Sequence, residues 1–196
     1  MIPAGVILYG PPGAGKDTVT AQLSHNHPTY ALFERLKAGP GRTAGYRLTS
    51  KDHIEEMDRA GEVLYRNTRY QAEYAIDRGG LSALVDAGRT PVLHMGQVAG
   101  ARAVAAYPLH WVKVLLWCPV ETTLARCRDR GDKDVDARLQ VWHETQQDLL
   151  DHPGDPWSVV IETHRLSPDQ AARVIDEAVA GGTEATAAHD IRRLVT

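Results

Sequence analysis

Cysteine is scarce in this chain of 196 residues, which contains only Cys118 and Cys127. Two cysteines exclude both a disulfide framework and a zinc site made of four cysteines. Long hydrophobic runs are also absent, since none reaches the roughly 18 residues that a membrane-spanning helix needs. The N-terminal residues lack the basic start and the apolar stretch of a signal peptide. We therefore expect a cytoplasmic protein with no membrane partner.

The chain has no excess of basic residues either. Its 22 lysines and arginines are outnumbered by 25 aspartates and glutamates, which gives a net charge of −3. A protein that binds nucleic acid over its whole surface is usually strongly basic, so we expect no nucleic-acid partner. Hydrophobic residues make up 43% of the chain, which is ordinary for a globular domain that buries its own core. Composition leaves the oligomeric state open, and a homodimer is one option.

Short apolar runs alternate with longer amphipathic stretches, and this alternation favours an α/β layered fold. Gly5–Tyr9 is typical of a buried parallel strand. The other predicted strands cover residues 90–94, 111–117 and 157–161. The predicted helices cover about 15–25, 79–88, 97–106, 119–130, 134–150 and 168–180. From Thr183 onward the pattern is weak, and we expect a short helix or partial disorder there.

Residues 26–78 differ from the rest of the chain. They contain Pro28, the turn-forming run Gly39–Gly41 and Gly45, and four of the seven tyrosines lie between residues 46 and 74 among many charges. These tyrosines are Tyr46, Tyr65, Tyr70 and Tyr74. Such a composition predicts an inserted subdomain outside the layered core, with one helix at about 50–60.

Residues 10–18 read Gly-Pro-Pro-Gly-Ala-Gly-Lys-Asp-Thr, which has the glycine and lysine spacing of a phosphate-binding loop between a strand and a helix. Glycines let successive N–H groups converge on phosphate oxygens. The following helix directs its positive end at the same anion, and the lysine reaches the β- and γ-phosphates. The predicted nucleotide-binding residues are Gly10, Pro11, Gly13, Ala14, Gly15, Lys16, Asp17 and Thr18.

Asp17 departs from the strict motif, which has serine or threonine at this position. One interpretation is a carboxylate in the first turn that stabilises the positive end of the helix. The other is a ligand that holds Mg²⁺ directly or through water, because this ion prefers oxygen ligands. The residues alone leave both interpretations open.

Three arginines form a second candidate cluster. Arg126 and Arg130 are four residues apart and would share a helix face, and a break near Gly131 could bring Arg138 back towards them. Guanidinium groups stabilise the negative charge that spreads over a transferred phosphoryl group. The many neighbouring aspartates also allow a solvated surface of ion pairs. Together with the phosphate loop, however, the pattern favours Lys16 and the three arginines as catalytic residues.

From about residue 4 to 180 the chain resembles the guanylate kinases, a family in the nucleoside monophosphate kinase group of P-loop proteins. The matching segments are Gly10–Thr18, Gly45–Tyr46 with Leu48, Ala60–Leu64, Tyr74–Ile76, Gly100–Arg102, Arg126, Arg130–Gly131 and Arg138–Leu139. The resemblance implies an α/β P-loop NTPase fold, in which a three-layer, doubly wound parallel sheet carries an inserted acceptor-binding subdomain and a short lid. It also implies transfer of a phosphoryl group from ATP, with Mg²⁺, to an acceptor.

The resemblance also divides the chain. It implies a domain over residues 1–182, with its core at 1–30 and 80–182. The acceptor-binding subdomain is then expected at about 31–79, the lid at about 126–138 and a C-terminal tail at 183–196.

The positions with which the family recognises guanine differ in this chain. Tyr65 stands where the family has a glutamate, and Ile76 replaces a serine or threonine. The acidic pair at the end of the third core strand falls on Met95 and Gln97, with His94 beside them. Each change removes a hydrogen-bond acceptor or a charge, so we expect recognition of GMP to be largely lost.

The family's site for the acceptor phosphate, built from two arginines and two tyrosines, is better preserved. Tyr46 and Tyr74 match the tyrosines, and basic residues lie near the arginine positions. The predicted substrate-binding residues are Arg35, Lys37, Arg42, Tyr46, Tyr65, Tyr74 and Gln97.

Three functions are therefore open. The first is an ATP-dependent kinase that acts on a small phosphorylated acceptor, a nucleotide or a sugar phosphate, other than GMP or in addition to it. The second is a true guanylate kinase that contacts guanine through other residues. The third is a non-catalytic binding module of the same family, although such modules usually lose the phosphate-loop lysine that this chain retains as Lys16.

Overall fold

Strands and helices alternate along the chain in the computed structural model, which describes residues 2–69, 71–132, 134–181 and 190–196. The strands are β1 (Ala4–Tyr9), β2 (Tyr30–Leu32), β3 (Arg35–Ala38), β4 (Tyr46–Leu48), β5 (Val63–Arg69), β6 (Ala72–Asp77), β7 (Thr90–Met95), β8 (His110–Trp117) and β9 (Val159–Glu162). The helices are α1 (Lys16–Asn26), α2 (Lys51–Arg59), α3 (Arg78–Asp86), α4 (Val98–Ala105), α5 (Val120–Asp129), α6 (Val135–Asp151), α7 (Pro168–Gly181) and α8 (Ile191–Val195).

Five strands form one parallel sheet in the order β2-β7-β1-β8-β9. The central strand β1 alternates its side chains between the two faces, because Val6 and Leu8 join one buried cluster whereas Ile7 and Tyr9 join the other. A strand that is buried on both faces reads as one continuous apolar run. This is why β1 can be predicted from a continuous apolar run, although the run lacks the alternation of polar and apolar residues that a half-exposed strand shows.

Helices cover both faces of the parallel sheet and complete three layers. On one face α1 packs against α7, and Val19 and Leu23 of α1 are buried in the cluster beneath the sheet. On the other face α3, α4 and α6 bury side chains that include Leu81 and Trp142. The predicted three-layer, doubly wound sheet of a P-loop NTPase is therefore confirmed.

A second sheet is inserted between β2 and α3, with the strand order β4-β3-β6-β5. β6 runs antiparallel to both β3 and β5, whereas β3 and β4 are parallel. α2 covers this sheet through the fully buried Ile54, and its start is fixed by the Ser50 hydroxyl, which accepts a hydrogen bond from the backbone N–H of His53. The second strand of the parallel sheet, β2, thus ends at Leu32. The second sheet begins at Arg35 and ends at Asp77, after which the parallel sheet resumes with β7.

The predicted helices agree with the observed ones to within two residues at each end. α7 begins at a capping box, in which the side chains of Ser167 and Gln170 each bond the other residue's backbone N–H. Of the predicted tail, residues 183–189 lie outside the described residues, as does Tyr70, and the rest contains α8. Over the described ranges, no helix is both long and apolar enough to cross a membrane.

Candidate active site

A cavity of about 660 Å³ opens at the carboxyl ends of β1 and β7. We call its donor side the phosphate loop (residues 10–18) together with the four residues of the predicted lid that line the cavity, Arg130, Asp132, Asp134 and Arg138, and its acceptor side the lining residues of the second sheet with Gln97. Open α/β sheets bind their ligands in the crevice beyond the carboxyl ends of the strands, where the strand order reverses. The cavity therefore lies where this fold places a ligand.

Glycines shape the backbone of the phosphate loop. Gly13 and Gly15 have φ angles of 75° and 91°, in the left-handed region that glycine adopts without strain. At Gly10 a Cβ atom would collide with the backbone carbonyl oxygen of Leu116 on β8. α1 starts at Lys16, directly after the loop, and its first residues line the cavity. Its unpaired N–H groups and positive end are thus available to an anion there.

Lys16 is held by the loop itself. Its ammonium group donates hydrogen bonds to the carbonyl oxygens of Gly10 and Pro11, at 2.5 and 2.8 Å. Burial disfavours the charged form and lowers the pKa of Lys16 to about 8, although the carboxylate of Asp17 acts in the opposite direction. A polyphosphate in the loop would compete with the two carbonyls for the ammonium group and would raise this pKa.

Asp17 and His94 lie beside each other in the same cavity. The Asp17 side chain is 75% exposed and that of His94, near the end of β7, is 16% exposed, with 3.7 Å between Oδ1 of Asp17 and Nδ1 of His94. The other ring nitrogen, Nε2, lies 2.7 Å from the hydroxyl of Thr20. Burial, followed by the positive charge of Lys16, lowers the pKa of His94 to about 3. The ring is therefore neutral at physiological pH.

Among the described residues, no three His, Cys, Asp or Glu side chains converge on a point that could hold a metal ion. A divalent ion in the cavity would need further ligands from a bound nucleotide. The exposed carboxylate of Asp17 beside the phosphate loop fits such an ion, since Mg²⁺ is usually held in proteins by one or two carboxylates together with phosphates and water.

The lid arginines are paired with lid aspartates. Arg130 donates a hydrogen bond to the Asp132 carboxylate at 2.7 Å, and Arg138 lies 3.3 Å from the same oxygen and 3.0 Å from the carboxylate of Asp134. The hydrogen bond from Arg130 holds the pKa of Asp132 below its usual range. Both guanidinium groups line the cavity, but a ligand would have to displace Asp132 to engage them fully.

The structure gives Arg126 a different place from the one predicted. Its guanidinium group donates hydrogen bonds to the Gly13 carbonyl oxygen at 2.8 Å and to the hydroxyl and carbonyl oxygens of Thr163 at 3.0 and 2.8 Å. These bonds tie the phosphate loop to the residue that follows β9. Because its donors are used in this way, Arg126 positions the loop and does not line the cavity with Arg130 and Arg138.

Arg35, Tyr46 and Tyr74 form a cluster on the acceptor side. The guanidinium carbon of Arg35 lies 5.9 Å from the ring centre of Tyr46 and 5.2 Å from that of Tyr74, and the two ring centres are 5.4 Å apart. In the described part of the chain Arg35 forms no ion pair. Arg42 lines the cavity nearby. An unpaired guanidinium beside phenol rings is suited to binding a phosphate.

Lys37, which was predicted to bind substrate, is not brought to the cavity. Its side chain is among the largest that are fully buried. The ammonium group donates hydrogen bonds to the carbonyl oxygens of Pro40 and Arg42, at 2.5 and 2.9 Å. A third, longer contact of 3.5 Å to the carbonyl oxygen of Gly39 takes the remaining N–H. A buried charge needs such partners, so Lys37 fixes the turn after β3 and has no donor left for a substrate.

Strand β5 supplies cavity residues that the sequence analysis missed. Tyr65 was predicted, but Asn67 and Arg69, at alternate positions of the same strand, line the cavity with it. The Tyr65 hydroxyl donates a hydrogen bond to Oε1 of Gln97 at 2.7 Å, and Arg69 pairs with Glu144 of α6. The sequence signal that links these three residues is their spacing, because residues at alternate positions lie on one face of a strand.

Comparisons with known proteins agree with this geometry. Residues 6–153 match the family model described as an AAA domain. The guanylate kinase of Thermosynechococcus vestitus is 32% identical over 154 residues, which cover 76% of this chain and 80% of that protein. The guanylate kinase of Trichormus variabilis is 30% identical over 144 residues, which cover 69% of this chain and 72% of that protein.

A solved structure supports the same fold. The crystal structure of guanylate kinase from Anaplasma phagocytophilum superposes with a TM-score of 0.65 at 16% identity, over 94% of this chain and 88% of that one. Together with the sequence relatives and the phosphate loop, these findings show that the chain belongs to the guanylate kinase family of P-loop, ATP-dependent kinases.

Proposed function

We propose that this kinase transfers the γ-phosphoryl group of ATP to a small phosphorylated acceptor, a nucleotide or a sugar phosphate, which it recognises without the usual contacts to guanine. One observation carries the proposal: a single cavity joins the phosphate loop, the lid arginines and the unpaired Arg35 with its two tyrosines. The loop suits the donor phosphates, and the Arg35 cluster suits a second phosphate.

The donor side is organised around Lys16. When the β- and γ-phosphates enter the loop, its ammonium group exchanges the carbonyl oxygens of Gly10 and Pro11 for phosphate oxygens. Asp17 would hold the Mg²⁺ that accompanies ATP, and this ion neutralises charge on the phosphates. Arg126 fixes the backbone of the phosphate loop through its hydrogen bond to the carbonyl oxygen of Gly13.

The acceptor side fixes the phosphate that receives the phosphoryl group. Arg35 binds its oxygens, and the phenol groups of Tyr46 and Tyr74 are close enough to the guanidinium to add hydrogen bonds. A phosphate oxygen is already ionised at neutral pH, so the attack requires positioning and not a general base. This agrees with the neutral His94, whose low pKa makes it a poor base.

The lid supplies positive charge during transfer. Arg130 and Arg138 exchange the carboxylate of Asp132 for the oxygens of the moving phosphoryl group, which carry the developing negative charge. Because the pairing with Asp132 is confined to the lid, this exchange needs a movement of the lid only.

The acceptor side offers little to guanine. Among the described residues that line the cavity, the carboxylates belong to Asp17, Asp132 and Asp134, all on the donor side. The Tyr65 hydroxyl donates to Oε1 of Gln97, so the amide nitrogen of Gln97 remains as a donor. Guanine presents N–H donors along the edge that a guanylate kinase would read, and with no carboxylate among the described residues of this side only the neutral amide oxygens of Asn67 and Gln97 are left to accept from them. GMP should therefore bind poorly.

The test is ADP release from Mg-ATP in the presence of GMP, dGMP, other nucleoside monophosphates and a panel of sugar phosphates. We expect at least one compound other than GMP and dGMP to give a kcat/KM about 100-fold or more above that of GMP, in line with the discrimination expected of unpaired polar groups. The names of the sequence relatives favour guanylate kinase as the second candidate. A kcat/KM for GMP above all others would establish that candidate and overturn the proposal.

A further inference from the structure

His94 is fixed beside the phosphate loop in one orientation. It lies on β7 directly opposite Leu8 of β1, two residues before Gly10, and its side chain is only 16% exposed. Nε2 is bonded to the hydroxyl of Thr20 on α1 at 2.7 Å. The imidazole therefore has one nitrogen committed to the protein, and this second partner is the usual way in which a metal-binding histidine is oriented.

The other nitrogen faces Asp17. Nδ1 lies 3.7 Å from Oδ1 of Asp17, which is beyond the range of an N–H···O hydrogen bond. Two ligands that share one ion, each about 2.1 Å from it, stand roughly 3.0–3.5 Å apart in octahedral or tetrahedral geometry. The exposed Asp17 side chain can cover the remaining few tenths of an ångström by a small rotation. The pair is thus spaced for a shared cation.

The charges around the pair make such a cation dependent on nucleotide. Lys16, Arg35 and Arg42 all act electrostatically on His94, and the described residues provide no third metal-binding side chain. The neutral imidazole of His94 and the single negative charge of Asp17, surrounded by three cations, would not hold a divalent ion without a nucleotide. The phosphates of a nucleotide in the loop would supply both the missing ligands and the missing negative charge.

Building on the proposed binding of ATP at this loop, we propose that Nδ1 of His94 and the carboxylate of Asp17 together hold the divalent ion of the nucleotide–metal complex. Imidazole nitrogen suits borderline transition metals, whereas Mg²⁺ prefers an all-oxygen shell. The site therefore favours Mn²⁺ or Co²⁺ over Mg²⁺ as the ion that accompanies the nucleotide.

Pulsed electron paramagnetic resonance of Mn²⁺ with a non-hydrolysable ATP analogue tests this directly. The complex of the full chain should show electron-spin-echo modulation from a coordinated nitrogen. Protein made with ¹⁵N-histidine should move that signal to the ¹⁵N frequencies, which separates imidazole from the nitrogens of the nucleotide. The labelling needs no substitution, so it does not depend on whether a variant folds. An oxygen-only Mn²⁺ signal in protein that binds the analogue would overturn the inference.

Two variants locate the nitrogen. His94→Gln should abolish the modulation, and His25→Gln should retain it, because His25 is exposed near the other end of α1. Calorimetry should also show that the ratio of analogue affinities with Mn²⁺ and with Mg²⁺ falls by about tenfold in His94→Gln and by less than twofold in His25→Gln. An unchanged ratio in His94→Gln would contradict the assignment.

The outcomes separate this inference from the proposed function. If the protein releases ADP with an acceptor but shows only oxygen ligands on Mn²⁺, the inference fails and the kinase proposal stands. If the analogue does not bind with either metal, both fail.

Discussion

The two sides of the cavity hold their positive charges in different ways. On the donor side Lys16 is bonded to carbonyl oxygens of its own loop, and Arg130 and Arg138 are paired with aspartates of their own lid. On the acceptor side Arg69 is paired with Glu144 of α6, but Arg35 stands against two tyrosine rings with no carboxylate partner in the described part of the chain. The donor side must therefore exchange internal partners when ATP arrives, whereas Arg35 has no carboxylate partner to give up among the described residues.

The largest effect expected from this comparison is that of Lys16→Ala. The substitution removes the ammonium group that leaves the loop carbonyl oxygens and binds the donor phosphates. We expect kcat to fall by about 10²–10³-fold, as when an enzyme loses one preorganised hydrogen-bond donor that stabilises the charge of the transition state. Steady-state ADP release with the best acceptor measures it, and Lys51→Ala on the exposed start of α2 serves as the control. A kcat within a few-fold of the wild-type value would show that Lys16 does not act on the transferred group.

Arg35→Ala probes the acceptor side alone. A hydrogen bond to a charged group contributes about 1.5–3 kcal/mol, so the KM for the acceptor should rise by about 10- to 100-fold while the KM for ATP stays close to the wild-type value. Initial rates at varied concentrations of each substrate separate the two constants. Equal increases in both would mean that Arg35 does not belong to the acceptor side alone.

The pKa of Lys16 predicts how ATP affinity depends on pH. In the free protein this pKa is lowered to about 8 by burial, and bound phosphates would raise it. Above pH 8 the free protein has lost the proton that binding requires, so the Kd for ATP should rise by up to about tenfold per pH unit, whereas below pH 8 it should be nearly constant.

Calorimetry across pH, in buffers of different ionisation enthalpy, measures both this Kd and the proton uptake. Lys16→Arg provides the control, because arginine stays protonated throughout the range and should remove the dependence. A constant Kd above pH 8 in the wild-type protein would contradict the loss of the Lys16 proton.

The donor side could be predicted from the sequence to a greater extent than the acceptor side. The phosphate loop depends on residues that are adjacent in sequence, so its glycines, Lys16 and the flanking β1 and α1 could be predicted from spacing and apolar runs. The alternation along β5 indicates that Asn67 and Arg69 share a face, but their position at the cavity depends on the pairing of β5 with β6 and could not be predicted.

Arg126 and Lys37 show the same limit at single residues. Their type allows phosphate binding, but their hydrogen bonds to backbone carbonyls depend on how loops meet in the folded chain.

Lys37→Met should distinguish the roles of Arg35 and Lys37, the two basic residues of β3 that were both predicted to bind substrate. It leaves the carbonyl oxygens of Pro40 and Arg42 without the buried ammonium donor, so the free energy of unfolding should fall by about 1–3 kcal/mol. Urea denaturation measures this loss, and the KM for the acceptor should change far less than in Arg35→Ala. A large rise in that KM with unchanged stability would restore Lys37 as a substrate ligand.

Asp132→Asn should produce the smallest effect and should act in the opposite direction on the donor side. The variant weakens the internal pairs of Arg130 and Arg138, and ion pairs near the protein surface contribute little. The KM for ATP should therefore fall by about two- to fivefold, whereas Asp129→Asn, an exposed aspartate at the end of α5, should leave it unchanged. A higher KM for ATP in Asp132→Asn would indicate that Asp132 helps to bind the nucleotide.

The proposed reaction requires that one cavity holds ATP and a second phosphate at the same time. The most direct measurement is ADP release from Mg-ATP with pairs of compounds that differ only in the presence of the acceptor phosphate, from nucleoside and nucleotide pairs to sugar and sugar phosphate pairs. We predict that only phosphorylated members accelerate ADP release, and that Arg35→Ala suppresses this acceleration at subsaturating acceptor concentrations. Equal acceleration by an unphosphorylated member, or none by any compound in protein that binds ATP, would contradict the account.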